Sequence, residues 1–325
     1  MKMFQYVRPS DAAAAILAHA KDQRASFIAG GTNLLDLMKR GVASPDRLVD
    51  VNALSLREIS QDKNHLRIGA LATNSTVADH QLVVKNYPLL SQALNAGASA
   101  QLRNMATVGG NLMQRTRCPY FYDTAMPCNK REPGTGCGAL EGFNRMHAIF
   151  GTSDKCIAVN PGDMSVALVA LGAAVHVKGP GGERQIPIEE FHRLPGDAPQ
   201  KDTTLGRDEL ITSVSLSSSF FSEHSHYLKI RDRSSYAFAL VSVAAALQLD
   251  GKRIVKARLA MGGVAHKPWR LAGAEKILEG KLATEETFAA AAAAAMSGAK
   301  AFKHNAFKLK LAPLSIIEAL KKAVA

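Results

Sequence analysis

The four cysteines of this 325-residue chain all lie within one stretch of 39 residues, and this clustering constrains the fold more than any other feature. Cys118, Cys128, Cys137 and Cys156 occupy residues 115–160, the one long segment that shows neither helical nor strand periodicity. A connection of this length without regular structure is unusual inside a compact domain. Cysteines placed by chance would instead be scattered through the core. The segment is therefore predicted to be a functional loop that its cysteines stabilise.

Four clustered cysteines are compatible with a [4Fe-4S] cluster, a zinc site or two disulfides. Zinc sites usually contain C-x2-C pairs and bacterial ferredoxins contain a compact run of cysteines, and the spacings here match neither. Binding a metal or a cluster would order a segment that has little apolar core of its own. The residues alone leave the choice among the three open.

The rest of the chain alternates between strand-like and helix-like segments. Residues 1–57 have the pattern of a βαβαβ unit, in which Ser10 is predicted to cap the first helix. A second α+β unit follows, and a third begins within residues 217–226. The predicted strands are 3–7, 26–29, 47–51, 65–70, 174–178, 209–216, 227–231, 238–249 and 253–262, and the predicted helices are 11–20, 34–40, 75–80, 87–97, 163–173, 273–279, 285–297 and 315–324.

Composition excludes several classes of protein. A hydrophobic content of 47% excludes a disordered chain, and four cysteines in 325 residues exclude a small disulfide scaffold. The charge-free stretches are shorter than the roughly 18–20 residues that a membrane helix needs, and the N-terminus lacks the apolar region of an export signal. We therefore expect no membrane span and no leader.

The net charge of +12 is concentrated near the C-terminus, since residues 223–325 contain 17 Lys and Arg against 8 Asp and Glu. Such a basic region attracts nucleic acid, an acidic subunit or an anionic cofactor, and charge alone does not choose among them.

Two Gly-Gly loops form the second informative pattern. Residues 30–33 (GGTN) follow an apolar strand, and residues 107–111 (TVGGN) repeat the combination of two glycines with hydroxyl and amide side chains. Glycines let consecutive backbone N–H groups converge on an anion, so each loop has the design of a diphosphate cradle. Neither loop matches the Rossmann or P-loop pattern. Asp163, at the start of a helix, is predicted either to accept from a sugar hydroxyl or to cap that helix.

Five segments, taken in order, resemble the FAD-binding subunit or domain of the molybdenum hydroxylases, the family of xanthine dehydrogenase, aldehyde oxidoreductase and carbon monoxide dehydrogenase. They are residues 29–33 (AGGTN), 107–111 (TVGGN), Asp163, 229–233 (KIRDR) and 261–265 (MGGVA). The resemblance implies an α+β protein: an FAD-binding PCMH-type fold of two α/β subdomains, followed by a C-terminal α+β domain of the CO dehydrogenase flavoprotein type. The implied bounds are 1–57 and 58–222 for the two subdomains, with an Fe-S insert at 115–160, and 223–325 for the C-terminal domain.

The resemblance also implies which residues bind FAD, position by position. The first loop wraps the diphosphate, the second loop contacts it, and Asp163 binds a sugar hydroxyl. Ile211 is implied to pack on the flavin and Lys229 to contact FAD. The complete implied set is Ser26, Phe27, Ile28, Ala29, Gly30, Gly31, Thr32, Asn33, Leu34, Thr107, Gly110, Asn111, Asp163, Ile211 and Lys229, and it contains no catalytic residue.

The cysteine-containing insert resembles two branches of the family that hold a [4Fe-4S] cluster at this point. These are the bacterial periplasmic aldehyde oxidoreductases and the 4-hydroxybenzoyl-CoA reductases. Residues 115–123 (RTRCPYFYD), 233–244 and 262–270 resemble the aldehyde oxidoreductases more closely. The resemblance therefore implies that Cys118, Cys128, Cys137 and Cys156 bind a [4Fe-4S] cluster, as a relay or as a structural element.

The implied function is that of the electron-transfer subunit in a heterotrimeric, molybdenum-dependent aldehyde oxidoreductase. A large subunit with the molybdenum cofactor would oxidise the aldehyde, and [2Fe-2S] clusters on a small subunit would pass electrons to FAD in this chain and on to an external acceptor. Tyr236 stands where members that reduce NAD generally have an acidic residue, which favours a ferredoxin-like protein, a quinone or dioxygen as acceptor. Export to the periplasm with a partner subunit is expected, and the cytoplasm is the alternative.

Two rival hypotheses remain from the sequence. One is a subunit of a 4-hydroxybenzoyl-CoA reductase-like enzyme, in which electrons flow in the reverse direction. The other is a basic, zinc-dependent nucleic-acid-binding protein, which the charge and the cysteines favour but no recognisable binding module supports.

Overall fold

The computed structural model describes residues 1–62, 65–217 and 221–325. The predicted junction at residues 217–226 therefore lies partly outside the described residues.

The first unit is a three-stranded parallel sheet with two helices, and the predicted βαβαβ pattern is confirmed. Its elements are β1 (Gln5–Val7), α1 (Ala12–Ala20), β2 (Ala25–Ile28), α2 (Leu34–Lys39) and β3 (Arg47–Asp50), in the strand order β1-β3-β2.

The predicted cap of α1 was wrong by one residue. The Asp11 carboxylate, rather than the Ser10 hydroxyl, accepts the hydrogen bond of the Ala14 N–H at 2.9 Å. Asp and Ser are equally good N-caps, so the sequence alone does not separate them.

The second unit has a five-stranded antiparallel sheet in the order β4-β5-β8-β6-β7. Helix α10 in this unit is buried along its whole length. It packs in the core between this sheet and the C-terminal unit. The short helices α4 and α6 were not predicted. The elements, with those of the insert, are β4 (Ile59–Gln61), β5 (His65–Gly69), α3 (Asn74–Asp79), α4 (Gln81–Asn86), α5 (Pro88–Ala96), α6 (Ala100–Met105), α7 (Val108–Leu112), α8 (Pro119–Tyr122), α9 (Gly138–Glu141), α10 (Asp163–Ala170), β6 (Ala174–Gly179), β7 (Gly182–Pro187), α11 (Ile188–Phe191) and β8 (Leu210–Ser217).

The insert at residues 115–160 has little regular structure, as its aperiodic sequence predicts. It contains the four-residue helices α8 and α9 and an isolated bridge between Cys128 and Cys137. Its own apolar core is small, with Phe121 and Cys128 packed against Leu37 of the first unit.

The C-terminal unit is a four-stranded antiparallel sheet in the order β12-β11-β10-β9, covered by three helices. Helix α14 begins at Lys308, seven residues before the predicted start, and contains Pro313. A proline removes one backbone hydrogen bond of a helix and usually marks a boundary. The elements are β9 (His224–Ile230), β10 (Val241–Asp250), β11 (Arg253–Gly262), β12 (Trp269–Arg270), α12 (Ala272–Leu278), α13 (Glu285–Ala295) and α14 (Lys308–Val324).

Strand β10 is buried on both faces and joins the two larger units. Its alanines Ala244 and Ala246 belong to the core around α10, whereas Val243 and Leu247 belong to the core beneath α13 and α14. Side chains on a strand alternate between faces, so Ala244 and Ala246 face one core and Val243 and Leu247 face the other.

Within the described ranges, no helix has the length and apolar character needed to cross a membrane.

We predict that Ala244→Leu destabilises the protein by about 1–3 kcal/mol, because a larger side chain must enter a filled core between β10 and α10. Ala244 is 0% exposed. Denaturant unfolding measures the effect. The control Val255→Leu lies on β11 at an exposed position and should change the stability by less than about 0.5 kcal/mol. Equal stabilities for the two variants would contradict the packing described for β10.

Candidate functional site

The two Gly-Gly loops lie against each other. A Cβ atom built on Gly30 would stand 1.8 Å from the carbonyl oxygen of Met105, two residues before Thr107. Gly31 has a φ of +71°, in the left-handed region that favours glycine. The first loop thus needs glycine at both positions, one for close approach and one for its backbone conformation.

Both loops border one cavity of about 420 Å³, which we call the first cavity. Residues 25–34 form one wall, and Thr107, Gly110 and Ile211 lie on the others. Among the described residues, the backbone N–H groups of Gly30, Gly31 and Thr32 donate to no protein acceptor. Unpaired N–H groups in a glycine loop are suited to bind the oxygens of a phosphate.

A second cavity of about 550 Å³ adjoins the first. It is bordered by Asn111, Asp163, Lys229 and Tyr236, and it shares Thr32, Asn33, Ala106 and Gly110 with the first cavity. The glycine loops therefore stand at the junction of the two cavities. FAD has a diphosphate between two ring systems, so its shape fits a phosphate-binding junction with a cavity on either side. Both volumes are typical of cofactor sites.

Several predicted binding side chains maintain the shape of the loops. The Thr107 hydroxyl accepts from the Gly110 N–H at 3.2 Å and so caps α7. The Asn33 side-chain oxygen accepts from the Arg115 N–H at 2.8 Å, and that of Asn111 accepts from Gln114 at 2.8 Å. These contacts leave the loop N–H groups as the main donors for a ligand.

Asp163 is part of a buried hydrogen-bonded network. Its carboxylate accepts from Lys229 Nζ at 2.8 Å and from the Tyr227 hydroxyl at 2.8 Å, and Lys229 also donates to the Ala96 carbonyl at 3.0 Å. The side chains of Asp163 and Lys229 are 9% and 4% exposed. Asp163 thus binds these side chains, and Gly162 occupies the N-cap position of α10.

Tyr227 is a member of this network that the sequence analysis missed. Burial and the adjacent Asp163 carboxylate raise the pKa of Tyr227 well above its ordinary value, so its hydroxyl keeps its proton and donates. The signal that could have revealed it is the strand period of two, which places Tyr227 and Lys229 on the same face of β9.

Ile211 and Tyr236 lie in different cavities. Ile211 borders the first cavity and Tyr236 the second, with the glycine loops between them. The structure therefore does not place in one cavity these two residues that the resemblance implied to be near the flavin. Lys229, Asp163 and Tyr236 do lie in one cavity.

Tyr236 adopts a strained backbone conformation at the edge of the second cavity. Its φ is +51°, which a bulky residue rarely adopts. The Arg233 guanidinium lies 5.5 Å from the centre of its ring and also donates to the Tyr236 carbonyl. This contact orients the exposed ring at the edge of the cavity.

All four cysteines border one small cavity in the insert, which we call the cysteine cavity. The four thiols are free, so the disulfide alternative is not observed. The ligands of a single zinc ion lie about 2.3 Å from it, and the described residues contain no group of three or more His, Cys, Asp or Glu side chains arranged to hold one metal ion.

Burial raises the pKa of the Cys118 thiol to about 12 and that of Cys156 to about 11. Both are therefore protonated at neutral pH in this state. A metal or cluster that bound here would displace these protons, since thiolates are the ligands.

A third cavity of about 130 Å³ lies between the cysteine cavity and the second cavity. Thr116 and Cys118 border both this cavity and the cysteine cavity, whereas Arg117, Asp163 and Phe238 border both this cavity and the second cavity. Consecutive residues of one segment thus face the candidate cofactor site on one side and the cysteines on the other.

Two family models match the chain. One, described as the FAD binding domain in molybdopterin dehydrogenase, matches residues 2–217, and the other, the CO dehydrogenase flavoprotein C-terminal domain, matches residues 226–321. The aldehyde oxidoreductase FAD-binding subunit PaoB of Escherichia coli K12 is 49% identical over 99% of this chain and 99% of its own length.

Solved structures show the same fold over the full length. Quinoline 2-oxidoreductase from Pseudomonas putida 86 matches with a TM-score of 0.77 at 27% identity, covering 99% of this chain and 98% of that chain. Reconstituted CO dehydrogenase from Oligotropha carboxidovorans matches with a TM-score of 0.79 at 22% identity and the same coverage. The fold class predicted from the resemblance is confirmed.

We predict that Gly30→Ala weakens FAD binding at least about tenfold, or about 1.4 kcal/mol. The added methyl group cannot fit against the Met105 carbonyl, so the two loops must separate. Equilibrium titration of the apoprotein with FAD measures the dissociation constant. The control Gly273→Ala has nothing within 4 Å of the added Cβ and should bind FAD normally. Unchanged affinity in Gly30→Ala would show that the contact between the loops is unimportant.

We predict that Tyr227→Phe weakens FAD binding and lowers stability by about 1.5–3 kcal/mol, because a hydrogen bond to a buried carboxylate is lost. The control is Tyr87→Phe, which removes a hydrogen bond of 2.9 Å to the Ser217 carbonyl, outside both cavities. Tyr87→Phe should lower stability alone. Equal FAD affinities in the two variants would contradict a role of Tyr227 in the site.

Proposed function

The chain belongs to the molybdenum hydroxylase family as an FAD-binding subunit, and from that premise we propose that it is the electron-transfer subunit of a molybdenum-dependent aldehyde oxidoreductase. The observation that carries the proposal is the full-length similarity to PaoB, an aldehyde oxidoreductase subunit. Among the rival hypotheses, flavin chemistry is favoured over nucleic-acid binding because flavoprotein family models cover nearly all of the chain.

FAD supplies two-electron chemistry when bound, and the protein supplies its position and electrostatics. In the proposed arrangement the glycine loops bind the diphosphate at the junction of the cavities. The second cavity, with Lys229, Asp163 and Tyr236, receives the flavin, and the first cavity receives the adenosine. Ile211 would then pack on the adenine end of FAD rather than on the flavin.

We propose that the cysteine cavity holds a [4Fe-4S] cluster. Four free cysteines, and no other cysteines in the chain, meet at this cavity. A [4Fe-4S] cluster is wider than a single metal ion, so its cysteine ligands lie farther apart than those of one ion. The described residues contain no compact site for a single ion, which is compatible with such a cluster. Its ligands would be Cys118, Cys128, Cys137 and Cys156.

The proposed partners are a large subunit with the molybdenum cofactor and a small subunit with [2Fe-2S] clusters, together with an external electron acceptor. Tyr236 favours an acceptor other than pyridine nucleotide, because an aromatic ring held by Arg233 stands at the edge of the proposed flavin cavity. We propose export to the periplasm in the assembled complex, and fractionation of cells that express all subunits tests this location.

The cofactor content tests the proposal most directly. Anaerobically purified protein should contain about one FAD and about four irons per chain. Cys128→Ser should lose most of the iron, whereas the control Met126→Ser, at an exposed position two residues away, should keep it. Iron and flavin analyses with visible spectra are the measurements. A colourless protein that contains zinc would refute both cofactors.

The direction of electron flow is tested on the holo-complex. Anaerobic addition of an aldehyde should bleach the visible flavin absorption, because electrons from the substrate reach FAD. Failure to bleach with any aldehyde, together with reduction of 4-hydroxybenzoyl-CoA by the pre-reduced complex, would favour the alternative with reversed flow.

A further inference from the structure

His147 contacts one of the four cysteines. Its ring atom Nε2 lies 3.2 Å from the Cys118 sulfur, within hydrogen-bond range for a sulfur acceptor. The histidine is buried, with 3% exposure. Neither the sequence pattern nor the family resemblance singled it out.

The backbone of His147 is held from three directions. Its N–H donates to the Asn144 carbonyl at 3.0 Å. Its carbonyl accepts from Asn305 Nδ2 at 3.2 Å and from the buried Lys308 Nζ at 3.0 Å. Lys308 also donates to the Gly263 carbonyl at 2.6 Å. The C-terminal unit therefore fixes the backbone of this residue of the insert, whose ring contacts the Cys118 sulfur.

The direction of the hydrogen bond follows from the chemistry of the two atoms. A cysteine that ligates iron is a thiolate and has no proton to donate. The proton between Nε2 and Sγ must then belong to the imidazole. This tautomer leaves Nδ1 without a proton.

We infer that His147 is a positioning residue for the proposed cluster, whose Nε2–H donates a hydrogen bond to the Cys118 sulfur and raises the reduction potential of the cluster. This inference rests on the proposed [4Fe-4S] cluster. Hydrogen bonds to cluster sulfurs stabilise the more negative, reduced state and thereby raise the potential. Both Cys118 and His147 border the third cavity, which extends toward the proposed flavin site.

The test is an EPR-monitored redox titration of the holo-complex. His147→Leu removes the donor and should shift the midpoint potential of the [4Fe-4S] signal to a more negative value, with iron content unchanged. His147→Gln retains a side-chain N–H and should lie between wild type and His147→Leu. The matched control is His192→Leu, another buried histidine, whose ring binds the Leu112 carbonyl at 3.0 Å instead of a sulfur. Its potential should equal that of wild type.

A second measurement does not depend on the potential. Proton ENDOR of the reduced cluster in wild-type protein should show an exchangeable proton that disappears in D₂O and is absent from His147→Leu. An unchanged potential in His147→Leu with retained iron would overturn the inference but would not contradict the proposed cluster. Loss of iron from both His147 variants but not from the control would indicate that His147 is an iron ligand, and this would also overturn the inference. If wild-type protein contained no iron, the proposed cluster itself would fail.

Discussion

The buried ion pair between Asp163 and Lys229 is the interaction on which the arrangement of the molecule depends. It joins the first residue of α10, in the second unit, to strand β9 of the C-terminal unit. Burying two charges is costly unless each is fully hydrogen-bonded, and here Tyr227 and the Ala96 carbonyl complete the set. The same pair forms a wall of the second cavity. One ion pair therefore joins two units and also forms part of the wall of the candidate cofactor site.

The two glycine loops could be recognised from local pattern, but the full set of binding residues came from the family resemblance. The positive φ of Gly31 is a local reason for glycine. The reason at Gly30 is not local, because it is the close approach of the Met105 carbonyl. The strand period places Tyr227 on the same face of β9 as Lys229, but its partner depends on which helix lies opposite that strand. Ile211 shows the same limit: its residue type suits either ring system of FAD, and the sequence does not indicate which cavity it borders. Pro313 misled the prediction of α14 because tertiary packing of this helix outweighs one lost hydrogen bond.

The insert shows how a segment with a small apolar core of its own is supported by its surroundings. Leu37 packs on Phe121 from the first unit, and Asn305 and Lys308 hold the backbone near His147 from the C-terminal unit. Arg115, at the start of the insert, donates its N–H to Asn33 in the first glycine loop. The sequence could indicate an ordered loop around four cysteines, but not that its supports come from both ends of the chain.

The walls of the two cavities come from segments near residues 30, 107, 163 and 229, and this spacing has a consequence for biosynthesis. Contacts between residues so far apart form only after long stretches of chain have been closed into loops. The growing polypeptide cannot complete its cofactor site until strand β9 has left the ribosome and paired with its neighbours. Binding of the flavin is then a late event in biosynthesis, and it requires that the first two-thirds of the chain and the start of the last third have folded together.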